Sequence, residues 1–152
     1  MRIGSISFLS GFIVENMMQP DEVEDVKEGW TFLGLPKETR DRLPPEFAEA
    51  WYRMDVLPTY EPTWVGILQS VLRLRGTNQR AVFTPQDLQS IQAPATLLWG
   101  SEDPFGSVQQ GLEGAKYFPD CEFHEVGVSH LPWLDDPERC GELIQEFLTA
   151  QV

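Results

Sequence analysis

Ala95-Thr-Leu-Leu-Trp-Gly-Ser-Glu-Asp103-Pro-Phe-Gly106 is an almost unbroken apolar run that stops at a glycine and then presents an acid. Such a run, without alternation, is what a parallel strand covered on both faces requires, so Ala95–Trp99 is predicted as a strand. Ser107 to Tyr117 follows as a helix with Val108, Leu112 and Ala115 on one face, and Cys121 to Val126 as a shorter, partly alternating strand. Gly127-Val-Ser-His130-Leu-Pro-Trp-Leu-Asp-Asp-Pro137 then forms a histidine loop. Asp136-Pro137 starts a last helix whose Cys140, Leu143, Ile144, Phe147 and Leu148 make one apolar stripe. The order β-α-β-α implies a right-handed crossover within a parallel sheet.

In such a sheet, ligands bind outside the C-terminal ends of the strands, and residues immediately after a strand are placed for chemistry. Asp103 and His130 both stand there. A carboxylate held against an imidazole fixes its tautomer and stabilises the imidazolium formed when the ring takes a proton from a nucleophile. Taken alone, Asp103-Pro104-Phe105-Gly106 reads as a turn and His130 as a loop histidine. Their joint placement after consecutive strands, acid first, is what points to a catalytic pair.

Upstream of about residue 85 the periodicity is helical. Val23, Val26, Trp30 and Leu33 recur at helix spacing before Gly34 and Pro36, as do Phe47, Ala50, Trp51 and Met54. Trp64, Ile67, Leu68, Val71 and Leu72 form a third run, closed by Arg73, Arg75 and Gly76. The acidic run Asp21 to Glu28 carries valines at helical spacing and is a solvated helix face. The expected division is therefore a helical region at 1–84 and a core segment at 85–152.

Composition narrows the function classes. A chain of 152 residues with 41% hydrophobic residues is long enough for a real core. Its 24 acidic against 11 basic residues, a formal charge of -13, repel phosphate backbones and anionic lipid surfaces, so no nucleic acid and no membrane is expected as partner. The acidic, lysine-poor balance resembles that of proteins adapted to high salt; a simply acidic cytosolic protein is the alternative. Cys121 and Cys140 have neither CxxC nor metal-site spacing, and no cofactor or metal is expected. The semi-apolar run Ile3 to Val14 is interrupted by Ser5, Ser7, Ser10 and Gly11 and lacks a cleavage site, which makes a cytoplasmic location the default.

The segment from Asp87 to Leu148 resembles the C-terminal part of an α/β-hydrolase-fold enzyme. The resemblance rests on Asp87-Leu88-Gln-Ser-Ile91-Gln-Ala-Pro94 before the strand, on Leu98-Trp99-Gly100-Ser-Glu-Asp103 at its end, and on His130-Leu-Pro-Trp-Leu-Asp-Asp-Pro137. One departure is Ser129, where the family more often has glycine directly before the histidine. The fold class implied is α/β, a partial α/β-hydrolase fold in which a helical lid precedes a β-α-β-α unit. Asp21 to Arg80 resembles that lid, and Trp30, Trp51, Trp64 and Trp133 are the candidate pocket residues; ordinary core packing is the alternative for each.

The resemblance also implies a triad in the order nucleophile, acid, histidine, with the nucleophile on a Gly-x-Ser-x-Gly elbow. No such pattern occurs in this sequence. Gly127-Val-Ser129-His-Leu lacks the closing glycine, Ser101 and Ser107 flank the acid, and aspartate or cysteine can replace serine as nucleophile. The expectation is a hydrolase of a small molecule, at an ester or similar acyl bond, with Asp103 and His130 present, no nucleophile in this chain, and the chain alone inactive. The alternatives are a non-catalytic remnant or binding module, and a half-enzyme needing a separate N-terminal polypeptide. The expected partners are accordingly a small-molecule substrate and either a missing N-terminal half or a second copy.

Overall fold

The computed structural model describes residues 20–71 and 78–150, which fall into two compact units. The predictions made for Ile3 to Val14 and for Leu72 to Gly76 lie outside the described residues. One unit takes in the described residues up to Gly29 and from Leu43 to Val82; the other holds Trp30–Arg42 and everything from Phe83 onward.

The first unit is helical. Helix α1 spans Val23–Gly29, and a separate segment, Lys37–Arg42, forms α2 of the other unit. Helix α3 runs Pro45–Asp55 and α4 Tyr60–Val71. Pro45 occupies the first turn of α3, where its missing N–H is not needed. Ala48 on α3 and Val26 on α1 are buried, and α3 packs against both α1 and α4. Within this unit the Tyr52 hydroxyl donates to the Asp21 carbonyl at 3.2 Å.

The second unit is built on two parallel strands, β1 (Ala95–Trp99) and β2 (Cys121–Glu125), in register from Ala95 opposite Cys121 to Trp99 opposite Glu125. A short helix α5 (Pro85–Gln89) precedes β1, with a capping box in which Thr84 and Asp87 exchange hydrogen bonds. Helix α6 (Val108–Ala115) is the crossover and opens on a second such box, Ser107 with Gln110. It lies close on the strands because Gly111 has no side chain: a Cβ there would sit 2.7 Å from the Phe123 ring and 2.9 Å from that of Trp99. After β2 come α7 (Pro132–Asp135) and α8 (Pro137–Ala150). Asp136 Oδ1 accepts the Arg139 N–H at 3.0 Å, the predicted start of that last helix.

Helix α8 covers the other face of β1, where Val126, Cys140 and Leu143 form a buried cluster with Leu98 packed on it. Its apolar stripe is only partly used: Ile144 and Leu148 remain exposed. Every position of β1 is half-buried. The segment Trp30–Arg42, predicted with the helical region, belongs to this second unit, to which Leu33, Thr39 and Arg42 hydrogen-bond. Among the described residues no helix is long and apolar enough to cross a membrane.

Candidate active site

Beyond the strands, the parallel pairing continues into the two loops that carry Asp103 and His130. The Val126 N–H donates to the Trp99 carbonyl at 2.9 Å, Ser101 to Gly127 at 3.2 Å and Glu102 to Val128 at 2.8 Å. This continuation needs a residue without a side chain at position 100. A Cβ on Gly100 would lie 1.9 Å from the Ser129 oxygen and 2.6 Å from that of Val128. The two loops therefore leave the same end of the sheet in backbone contact.

That contact delivers the acid to the base. His130 Nδ1 lies 2.8 Å from Asp103 Oδ2. Since a carboxylate only accepts, Nδ1 carries the proton and Nε2 is left as the basic nitrogen when the ring is neutral. The other carboxylate oxygen, Oδ1, accepts the Phe105 N–H at 2.8 Å, a local turn bond of the kind expected of Asp before Pro. Both oxygens are thus engaged. The Asp103 side chain is 7% exposed and the His130 side chain 45%, so a buried anion orients a ring whose outer edge meets solvent. Burial strengthens the pairing by removing competing water.

Residues that sequence reading passed over complete the arrangement. The Phe105 ring meets the His130 imidazole edge to face at 4.7 Å, and Phe32 meets Phe105 at 5.3 Å. The Leu33 carbonyl accepts the His130 N–H at 2.9 Å. Asp135 Oδ2 accepts the N–H groups of Val128 (2.9 Å) and Ser129 (2.6 Å), while Oδ1 accepts the Thr39 hydroxyl at 3.0 Å. Arg42 donates to the carbonyls of Leu134 and Asp135. Ser129 is fully buried, and its Oγ accepts the Leu131 N–H at 3.1 Å. The only sequence signal for Asp135 was an acid between a histidine loop and a proline-initiated helix; nothing marked Phe32 or Thr39.

The candidate pocket tryptophans are dispersed over both units. Trp30 is buried in the second unit, in a 3-10 turn spanning Trp30–Leu33, and Trp133 is exposed on α7. In the first unit Trp51 pairs with Phe47 at 5.8 Å and Trp64 with Tyr60 at 6.2 Å. Among the described residues no group of three or more His, Cys, Asp or Glu is placed to hold a metal ion.

The chain matches no protein-family model. Among solved structures it is similar to a meta-cleavage product hydrolase from Pseudomonas fluorescens IP01, with a TM-score of 0.63 at 15% identity over 88% of this chain. The chain has part of an α/β-hydrolase fold. A second similar structure is naproxen esterase (carboxylesterase NP) from Bacillus subtilis, with a TM-score of 0.59 at 16% identity over 93% of this chain. A curated relative, a 2-hydroxy-6-oxononadienedioate/2-hydroxy-6-oxononatrienedioate hydrolase from Paraburkholderia phymatum, is 34% identical over 62 residues, 40% of this chain. The chain spans 47% and 45% of the two structures and 22% of the curated relative. Within the α/β-hydrolase fold, β1, α6, β2 and α8 are the portion of parallel sheet and covering helices that this chain supplies.

Proposed function

We propose that this chain supplies the acid and the base for hydrolysis of an ester or similar acyl bond in a small molecule, with Asp103 orienting His130. In this reading Nε2 of His130 takes a proton from a nucleophile, which attacks the substrate carbonyl. The imidazolium, stabilised by the ionised Asp103, returns that proton to the leaving group. A water molecule then repeats the cycle on the acyl intermediate. The 2.8 Å contact between His130 Nδ1 and a buried carboxylate carries the reading. The similar proteins, an esterase, a meta-cleavage product hydrolase and an N-acyl homoserine lactone degrading enzyme, support hydrolysis of a small molecule as the reaction, and the ester or acyl bond is our own extension.

The nucleophile in this proposal comes from outside this sequence, which holds no Gly-x-Ser-x-Gly elbow. A separate N-terminal half of the fold is the proposed partner, and the helical first unit the proposed lid. Trp133, exposed on the helix that follows the histidine loop, is proposed to meet substrate. The test is complementation. Combined with an N-terminal half bearing an elbow, the chain should support aryl ester hydrolysis, and Asp103→Asn should lower the rate on the order of a thousandfold or more. The chain alone should neither turn over the ester nor be labelled by a serine-directed phosphonate. Complemented activity that survives His130→Ala, or phosphonate labelling of the chain alone, contradicts the proposal.

A further inference from the structure

We infer that Asp135 is the positioning residue for His130: its carboxylate, oriented by Thr39, clamps the histidine loop against the acid loop. The inference rests on the reading of Asp103 and His130 as the catalytic pair and adds what holds that pair in register.

The loop is gripped from two sides. On its carbonyl side, Gly127 and Val128 accept N–H groups from Ser101 and Glu102, which fixes it to the loop bearing Asp103. On its N–H side, a single oxygen of Asp135 accepts two successive backbone donors, Val128 and Ser129, directly before the histidine. Hydrogen bonds to an ionised acceptor are shorter and stronger than neutral ones. The next two donors are also taken, His130 by the Leu33 carbonyl and Leu131 by Ser129 Oγ. Four consecutive N–H groups are thereby assigned, and Asp135 holds the pair on which the ring's approach to Asp103 depends.

The clamp is itself held. Thr39, 4% exposed on α2, donates its hydroxyl to the second carboxylate oxygen, which sets the rotation of the group. Arg42, on the same helix, donates to the carbonyls of Leu134 and Asp135 and ties the backbone that carries the clamp. One short helix outside the sheet thus controls the orientation of the base through Asp135, without contact with the reacting atoms. Asparagine can preserve this geometry, because its oxygen accepts the two N–H groups while its amide donates to Thr39; alanine cannot.

The experiment reads the His130 ring by nitrogen-15 NMR on the full chain, which has only one other histidine, His124. Asp135→Ala should abolish the solvent-protected Nδ1–H signal of His130 and convert the neutral ring toward the Nε2–H tautomer, with His124 unchanged. Asp135→Asn should restore the parent spectrum. If Asp135→Ala does not fold, Thr39→Val decides: it deletes only the orienting hydroxyl and should broaden or weaken the same signal. A His130 spectrum unmoved by Asp135→Ala, or by Thr39→Val in its place, overturns the proposal. Asp103→Asn separates the two levels. If it leaves the parent His130 signal intact, the pair reading fails; if it removes the signal while Asp135→Ala does not, only the clamp fails.

Discussion

Gly100 and Ser129 meet backbone to backbone, so close that a Cβ at position 100 would lie 1.9 Å from the Ser129 carbonyl oxygen. This contact brings the loop bearing Asp103 onto the loop bearing His130, and it depends on the absence of a side chain. No side-chain rotation can relieve the clash, since the atoms such a Cβ would meet, the carbonyl oxygens of Ser129 and Val128, belong to the main chain.

Gly100→Ala should therefore be among the most damaging single-methyl additions in the chain. The expected loss is at least about 3 kcal/mol, the upper range for overpacking a close-packed site. It should be accompanied by loss of the His130 Nδ1–H signal. Urea unfolding of the two proteins checks the first part and the proton spectrum the second. A variant of unchanged stability would show that the two loops can part at little cost.

Asp55 gives the helical unit a pH dependence of its own. It is buried at the end of α3, and its Oδ1 has no hydrogen-bond partner. Burial raises its carboxyl from 3.8 to about 6, against the opposing hydrogen bond from Tyr60. The Tyr60 hydroxyl is pushed up in turn, by burial first and then by the Asp55 charge. Between 3.8 and about 6 the folded chain keeps a proton that the unfolded chain has released. Stability from this group is thus complete below the lower value and is lost as pH rises through the upper one. Asp55→Asn should abolish that loss, so the variant gains on the parent above pH about 6. Urea melts across this interval check it; a stability difference independent of pH contradicts it.

Much of this was legible in the sequence, and for identifiable reasons. The almost unbroken apolar run at Ala95–Trp99, interrupted only by Thr96, gave β1 its full extent, because a strand with α6 on one face and α8 on the other needs no polar alternation. The strand-end rule placed Asp103 and His130 at one rim, and the structure puts them 2.8 Å apart. Periodicity alone could not show that Trp30–Arg42 joins the second unit. What binds that segment is a set of long-range bonds from Leu33, Thr39 and Arg42 to residues about a hundred positions later. Local pattern carries no record of such contacts. The same holds for Asp135, whose role lies in which backbone donors it faces rather than in its spacing.

The two thiols should react at different rates when the chain is folded, Cys121 slowly and Cys140 hardly at all. Cys140 is 1% exposed, and burial, with Asp136 and Asp135 nearby, raises its thiol. Cys121 is raised by burial and then by Asp120 and Glu122. Reaction requires the thiolate and access to it, so a raised thiol slows Cys121 at neutral pH and burial withholds Cys140 altogether. Cys121 should react first, and Cys140 only on unfolding. Mass spectrometry of a timed iodoacetamide reaction checks the order; Cys140 modified as fast in the folded as in the denatured chain would contradict the packing of α8 on β1.

The most direct measurement of the central claim is the tautomer of the neutral His130 ring in the unmodified chain. The two histidines make opposite demands: His130 is bound through Nδ1 to Asp103, whereas His124 lies 3.3 Å through Nε2 from Glu122. Nitrogen-15 shifts of the two rings should accordingly report Nδ1–H for His130, with its proton protected from exchange, and Nε2–H for His124. A His130 ring found as the Nε2–H tautomer, with Nδ1 open to solvent, would contradict the account at its base.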